Sequence, residues 1–552
     1  MLYNKYIVKK KYFSILFLFL LGVAPAMAQT TEGKEFWVTF GSIWGWTLQP
    51  SSSIQIRVVS SHTPTTGVIY FTNLNDSVTF SMGAYETYTY PLNQEQQQAV
   101  YNLYMGITDY SIHITSHEPV SVYAFNMLAI VCDVTNILPV TALGREYYHI
   151  SYTPLSAWYL MSDAYAVVAT QNNTGLFHNG DSVATLHAGQ VYYRTAELET
   201  DMTGAHITAT HPVAFFALHQ TAQIPCNTPL GSPSHLAQQL APVNTWGKEF
   251  FVPASKSFPD IVRIVASQNG TNIETDGTMR LGVPGAKESF TNLQAGDFVE
   301  LEIFDTGCYI KTDKPVGVCS YLRNFQYGFT SPAQCWIPAI KQTVPYIQAA
   351  PFKSTVSNNY LLVHYALVCT PTHAKENTTV SIGGAPSTTI TDGWTDNATA
   401  KMSFCSIPLE NDTSSYTFTN PAGLIVLCSG FKSLNASASS YYYLAGSAMR
   451  RLDTAFYVNN VHYENLQDAT FCDKNVHFRA EIADYSEIKW FIDGSEYIPA
   501  HNLLEWNKEF ATGVYSIQMW VRYENNEEIF IPAQPITLKM EIFWVKIRNV
   551  RY

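Results

Sequence analysis

His206-Ile207-Thr208-Ala209-Thr210-His211-Pro212-Val213 decides the fold, because the same phrase is written three times along the chain. It stands earlier as Ile112-His113-Ile114-Thr115-Ser116-His117-Glu118-Pro119-Val120 and later as Tyr309-Ile310-Lys311-Thr312-Asp313-Lys314-Pro315-Val316. β-Branched and polar residues alternate up to a proline, whose fixed φ and missing N–H suit a strand start after a turn. Each copy is therefore read as a hairpin that closes a unit. A fainter fourth copy runs from Thr417-Phe418-Thr419-Asn420-Pro421 to Val426-Leu427-Cys428.

Working outward, each unit opens on a related strand: Gly33-Lys34-Glu35-Phe36-Trp37-Val38, Gly144-Arg145-Glu146-Tyr147-Tyr148 and Gly247-Lys248-Glu249-Phe250-Phe251-Val252. A second strand follows in each, ending at Ser60, Thr170 and Ser267, and two copies continue into Gln171-Asn172-Asn173-Thr174 and Gln268-Asn269-Gly270-Thr271. Met82-Gly83-Ala84-Tyr85, His187-Ala188-Gly189-Gln190 and Gln294-Ala295-Gly296-Asp297 then introduce aromatic, alternating strands. About seven short strands per hundred residues is sandwich density, and a propeller-like ring gives similar counts. The expected class is all-β: tandem pseudo-repeats of about 100 residues, sandwich-like or propeller-like, with only a turn of helix near Gln94 to Leu103. After Arg451 the text changes. Ile488-Lys489-Trp490-Phe491-Ile492-Asp493-Gly494 and Gly513-Val514-Tyr515 resemble strands C and F of immunoglobulin-like or PKD-like modules, so a C-terminal Ig-like β-sandwich is expected.

The predicted division is a leader over 1–28, repeats over 29–143, 144–246, 247–341 and 342–455, a sandwich over 456–540 and a tail over 541–552. Four lysines (Lys5, Lys9, Lys10, Lys11), an apolar run from Phe13 to Val23 and Ala26-Met27-Ala28 read as a signal peptide cleaved before Gln29. The apolar run is short for a membrane span, which takes about 20 residues, and no later stretch qualifies. Removing the leader's four lysines from a net charge of −12 leaves −16. That excludes nucleic acid as a partner, because phosphate neutralisation by cations supplies most such affinity. Only 14% of residues are charged and 14% are aromatic, against about 25% charged in ordinary domains, which argues against disorder and coiled coils.

Candidate chemistry is sparse. Asp305-Thr306-Gly307 matches the aspartic-protease triplet, but such enzymes need two carboxylates sharing a proton. The equivalent places read Asp201-Met202-Thr203-Gly204 and Gly106-Ile107-Thr108-Asp109, so a turn explains the triplet. His113 and His117 would lie about 13 Å apart on a strand, too far to share a metal. His206 and His211 would face opposite sides of theirs; His219 and His235 leave open a site assembled in three dimensions. Nine cysteines are too few for a disulfide scaffold. Cys308 and Cys319 flank a predicted turn, so a disulfide across that hairpin and a pair of buried thiols are both open readings. Sequons including Asn172, Asn269, Asn377 and Asn435 read as turn chemistry rather than glycan acceptors. No catalytic residue, metal ligand or cofactor is assigned. For ligand binding the candidates are Trp44 and Trp46, in a Gly-broken loop segment where the other units have no tryptophan.

The ordered run Asp163 to Thr174, Asp201 to Ile207 and Pro212 to Phe216, followed by His235-Leu236-Ala237-Gln238-Gln239-Leu240-Ala241-Pro242-Val243 and Trp246-Gly247, resembles the N-terminal domain of the IgGFc-binding protein family. The likeness covers about residues 33 to 345; the family's usual Cys-Asp before His-Leu is missing, and Ser234 stands there. The resemblance implies a secreted protein. The expected function is a secreted or cell-surface bacterial binding or adhesion protein, in the extracellular space or periplasm, non-catalytic, recognising an extracellular protein, glycoprotein or glycan, host-derived partners included, with no transmembrane segment after cleavage. An extracellular hydrolase and a structural spacer are the alternatives.

Overall fold

Four of the strands in this chain are bent, and the bends build the fold. A computed structural model describes residues 30–539, apart from 45–46, 50–51, 129–130, 155–160, 227–232, 257–258, 324–330, 353–362, 411–413, 432–438, 453, 483–484 and 524–527. The leader, the tail, Trp46 and Asn435 lie outside the described residues. The molecule is all-β, in two compact units, Gln29–Arg451 and a second from Leu452 onward.

The closing phrases are not hairpins. Ile112–Leu128, His206–Ala222, Cys308–Leu322 and Tyr416–Phe431 are each one continuous strand. At Pro119, Pro212, Pro315 and Pro421 the ladder is interrupted instead of reversed. Gly33 faces Val120 while Glu35 faces Thr115, so two residues of the opening strand are matched by five of the long one. The same slip recurs as Gly144–Val213 against Glu146–Thr208, Gly247–Val316 against Glu249–Lys311 and Val344–Leu424 against Tyr346–Thr419. A bulge has no ladder bond to lose to proline, and it bends the strand that carries it. Before the bulge the long strand pairs with the opening strand and a hairpin strand; beyond it, with the second strand and the unit's last strand. Each unit is thus two sheets sharing one bent strand, the corner geometry of orthogonal sandwiches.

This corrects the reading of Cys308 and Cys319. They occupy opposite halves of a single bent strand, on either side of Pro315, and both are free. Cys308 Sγ lies 3.2 Å from Thr275 Oγ1, and Cys319 Sγ accepts from Gln334 Nε2 at 3.3 Å. The other seven cysteines are also free.

The recurring turns owe their form to one contact. The first N–H of each bonds the side chain three residues on: Gly83 to Glu86, His187 to Gln190, Gln294 to Asp297, at 2.7, 2.9 and 2.8 Å. Asn172 and Asn269 accept from Ala188 and Ala295 N–H at 3.1 and 2.9 Å, so both sequons serve as turn ties. The helix predicted near Gln94 to Leu103 is shorter, Gln94–Gln98, with Asn93 as its cap.

The last strands of the four units, Val131–Ile137, Ser234–Gln239, Ala333–Trp336 and Ser440–Gly446, are neighbours in cyclic order, the fourth returning to the first. At their centre is Asp133. Its Oδ1 accepts from Val134 and Tyr442 N–H at 2.9 and 3.4 Å, and its Oδ2 from Ala237 and Gln334 N–H at 3.2 and 3.1 Å. One buried carboxyl group thereby ties its own strand to those of the three other units, its burial outweighing these four N–H bonds and pushing its pKa well above the usual carboxylate range. Thr31 N–H donates to Ser447 O at 3.0 Å and Thr30 bridges Ala448, which closes the ring. Apolar packing ignores the seam there, since Tyr123, Phe125 and Val134 share a core with Ile347, Phe352 and Tyr443.

The second compact unit is a sandwich of its own. One sheet holds Val461–His462, Ala455–Val458, Asn475–Glu481 and Glu505–Glu509; the other is built on Tyr485–Ile492, Gly513–Tyr523 and Glu528–Leu538. Trp490 is fully buried in its core, donating Nε1–H to Leu503 O at 2.9 Å and meeting Phe456, Phe478 and Trp506 edge-on.

Candidate functional site at the seam of the second and third units

The strand Asp260–Ala266 reads as a buried apolar run with one cation inside it, Arg263. A guanidinium there has to find acceptors for its donors or lose its hydration uncompensated. It finds them across the seam. Arg263 Nε donates to Glu300 Oε2 at 2.9 Å, while Nη1 donates to Asp201 Oδ2, Thr203 Oγ1 and Ser151 O at 2.7, 2.9 and 3.0 Å. Nη2 reaches Thr153 Oγ1 at 3.0 Å, and the rings of Tyr152 and Phe298 lie 4.2 and 4.7 Å from the guanidinium carbon. Glu300 is also held by Arg280 and by the Tyr152 hydroxyl. Burial pushes the Asp201 pKa up, but Arg263 and Thr203 outweigh it and hold the carboxyl below the usual carboxylate range.

Beside this network a second buried pair anchors the same loop. His149 Nε2 lies 2.9 Å from Asp163 Oδ1, both side chains fully buried. Asp163 Oδ2 accepts from Met202 N–H at 2.7 Å, and His149 exchanges backbone bonds with Gly204 and Ala205. Gly204 is required where it stands: φ is +92° and a Cβ would fall 2.0 Å from Gly296 O.

Residues 200–205, fixed in this way, line a groove of about 630 Å³. Its other walls are Met105 of the first unit, His178, Asn179 and Arg194–Glu197 of the second, and Ala295 and Gly296 of the third. Burial first, then Arg194 and His149, push the His178 pKa down. Asp201 in the lining is committed to Arg263, and burial pushes the nearby Cys226 thiol up, away from an activated thiolate. The groove's walls are thus largely polar and held in place by the Arg263 and Asp163 networks.

The residues marked by sequence fall elsewhere. Trp44 is half-buried, with φ +55°, against Ile43, Leu128 and Val131, and its N–H donates to Gln220 O at 3.0 Å. Trp46 is outside the described residues. Asp305 is exposed in a turn closed by Gly307 N–H to Phe304 O at 2.9 Å. His113 stacks on Trp37 at 4.0 Å and meets Glu35 at 2.9 Å, while His206 repeats this with Tyr148 and Glu146; neither joins the histidine near it in sequence. Among the described residues no group of three or more His, Cys, Asp or Glu side chains could hold a metal. Sequence reasoning missed Met105, Arg194 and Glu197. One sequence signal pointed nearby: Arg263 inside an apolar strand.

His235 supplies a pH test. Its Nδ1–H donates to His219 O at 2.8 Å and its Nε2 accepts from Asn126 Nδ2 at 3.3 Å, leaving no acceptor for a second proton. Burial pushes its pKa down to about 3. An unfolded histidine near 6.5 binds the proton first, so stability is full above pH 6.5 and is lost as pH falls towards 3. Between pH 7 and 4.5 the loss is about 2–3 kcal/mol from this residue. Denaturant titrations of wild type and His235→Gln at both pH values check it: the variant shows the smaller pH dependence.

The family model for IgGFc binding protein matches residues 26–198 and 184–430. The human IgGFc-binding protein is 31% identical over 214 residues, covering 36% of this chain. The chain spans only 4% of that relative's length. Among solved structures, the N-terminal four Ig domains of Dscam1 isoform 4.44 align over 72% of this chain and 98% of theirs, at 9% identity and a TM-score of 0.11. Dimeric latent PorU from Porphyromonas gingivalis aligns over 67% of this chain and 34% of its own, at 8% identity and a TM-score of 0.12. TM-scores this low carry no argument about fold or function.

Proposed function

The chain belongs to the IgGFc binding protein family, and on that premise we propose that it is a non-catalytic binding or adhesion protein of a bacterial surface or its surroundings. Its ligand is an extracellular protein or glycoprotein. One observation carries the reading: the family matches run through residues 26–430, which hold the first three units and most of the long strand of the fourth, so what the family shares is most of the compact β-unit Gln29–Arg451. A rigid β-scaffold with loops at its seams is a usual support for recognition. Export is supported by the basic, apolar and small-residue segments of 1–28. No helix of the described residues is long and apolar enough to cross a membrane.

The test is to immobilise the full chain and present IgG Fc, a glycoprotein panel and a glycan array. Saturable binding to at least one is expected; silence on all, with cleavage products in a mass-spectrometric screen of the same panel, favours the hydrolase. Two further results are expected. Asp305→Ala costs at most about 1–2 kcal/mol, because it removes only local turn contacts, and abolishes no activity. Intact mass of material recovered outside the producing cell starts at Gln29; retained Met1 on exported protein overturns the signal-peptide reading.

A further inference from the structure

Three seams of the ring are clamped by an aromatic side chain at one register position, and the fourth is not. Where each opening strand meets its long strand, Trp37 faces His113, Tyr148 faces His206 and Phe251 faces Tyr309. Each of these aromatics reaches the next unit. A Cβ on Gly189 of the second unit would fall 3.2 Å from Trp37, and Tyr148 Oη donates to Ser267 O of the third at 3.5 Å. Phe251 and Phe404 of the fourth unit have ring centroids 6.0 Å apart. In the fourth unit the equivalent pair is Gln348 and Thr417. Gln348 Oε1 and Nε2, Thr417 Oγ1 and the Tyr346 hydroxyl are buried with no hydrogen-bond partner among the described residues. Polar groups in this state have lost their hydration without compensation, so an opening that returns water to them is favoured.

Glu32 lies at the same seam. It follows Thr31, whose N–H donates to Ser447 O at 3.0 Å and whose Oγ1 accepts from Ser447 N–H at 3.3 Å. The Glu32 side chain is half-buried, and its carboxyl has no ion pair or hydrogen bond among the described residues. The titratable groups facing it are the phenols of Tyr123 and Tyr346, with Cys428 beside the first and Tyr85 beside the second. Of the cations adjacent in sequence, Lys34 pairs with Glu118 at 3.6 Å and Arg450 donates to Lys341 O. Burial pushes the Glu32 pKa up to about 7, whereas a hydrated glutamate ionises near 4.5. Ionisation therefore favours the open form: closure is full below about pH 4.5, weakens as pH rises towards 7 and is weakest above.

We propose that the outer closure of this seam, residues 30–32 against 447–448, opens and shuts with the charge on Glu32: the neutral acid keeps it shut and the carboxylate releases it. The core that Tyr123, Phe125 and Val134 share with Ile347, Phe352 and Tyr443 stays packed in both states. What opens is the rim of the seam, and not the ring.

Hydrogen exchange on the full chain at pH 5 and 8, corrected for the chemical rate, tests this. Peptides covering 30–36 and 444–449 are expected to open at least about tenfold more at pH 8. The whole shift would give about 300-fold, and solvent at a half-buried carboxyl screens part of it. Glu32→Gln removes the pH dependence and, at pH 8, slows both regions at least about tenfold with the rest of the chain unchanged. Gln348→Met, which removes two of the unsatisfied atoms and leaves Glu32 in place, slows both regions at both pH values and keeps the ratio between them. Equal exchange of wild type at pH 5 and 8, or a pH ratio retained in Glu32→Gln, overturns the proposal. So does acceleration at pH 8 throughout residues 30–451, which would be unfolding of the ring.

Discussion

Asp133→Ala loosens all four units together. Three N–H groups from Ala237, Gln334 and Tyr442 lose their acceptor inside the ring, where water does not replace it. Each unsatisfied buried donor costs about 1–3 kcal/mol, so the expected loss is about 3–6 kcal/mol. Asp133→Asn retains the shape and one acceptor oxygen, and keeps only part of the loss. Hydrogen exchange on the full chain distinguishes this from a local defect. Peptides covering 131–137, 234–239, 333–336 and 440–446 exchange faster together, while those from 454–538 keep wild-type protection. Faster exchange confined to 131–137 would mean that the carboxyl group does not tie the units.

Arg263→Met is the second large effect. It leaves Asp201 and Glu300 facing one another's field at the seam, Glu300 retaining Arg280 and the Tyr152 hydroxyl. Breaking a buried ion cluster by removing one member costs about 3–5 kcal/mol, mostly through the charges left behind. Arg263→Lys restores little, because an ammonium cannot reach five acceptors lying in the plane of a guanidinium or stack between Tyr152 and Phe298. The triple variant Arg263→Met/Asp201→Asn/Glu300→Gln recovers part of the loss, since no buried charge is then without its partner except Arg280, which is partly exposed. Denaturant midpoints check the series. A triple variant no better than Arg263→Met would show that the ring contacts and hydrogen bonds, not the charges, dominate.

The repeat was legible because the phrase ending in proline recurs at the same place in every unit, and the class followed from its alternation. What that proline does was not. A strand entering from a turn and a strand crossing a bulge both show period-two patterns on either side of the ring, and the two-against-five slip is a property of the partner's register. Cys308 and Cys319 were misplaced for the same reason. Arg263 and Asp133 each interrupt an apolar strand, so their burial could be read from sequence. Their partners could not: Ser151 lies 112 positions from Arg263, and Asp133 is bound by backbone groups that carry no residue signature. Trp44 illustrates the opposite limit, since a glycine-broken loop says nothing about the cluster of Ile43, Leu128 and Val131 against which it packs.

Thr30 and Thr31 lie against Ala448 and Ser447. The chain therefore enters and leaves the ring through one seam, between the first and fourth units. A pull exerted on the polypeptide from outside the ring is delivered to that seam alone. The other three, with the Arg263 network among them, are in the interior of a closed loop and bear no tension until the Thr31–Ser447 latch gives way. For a chain pulled by its two ends, the latch is the mechanical fuse, and the seam of the second and third units is the part it protects.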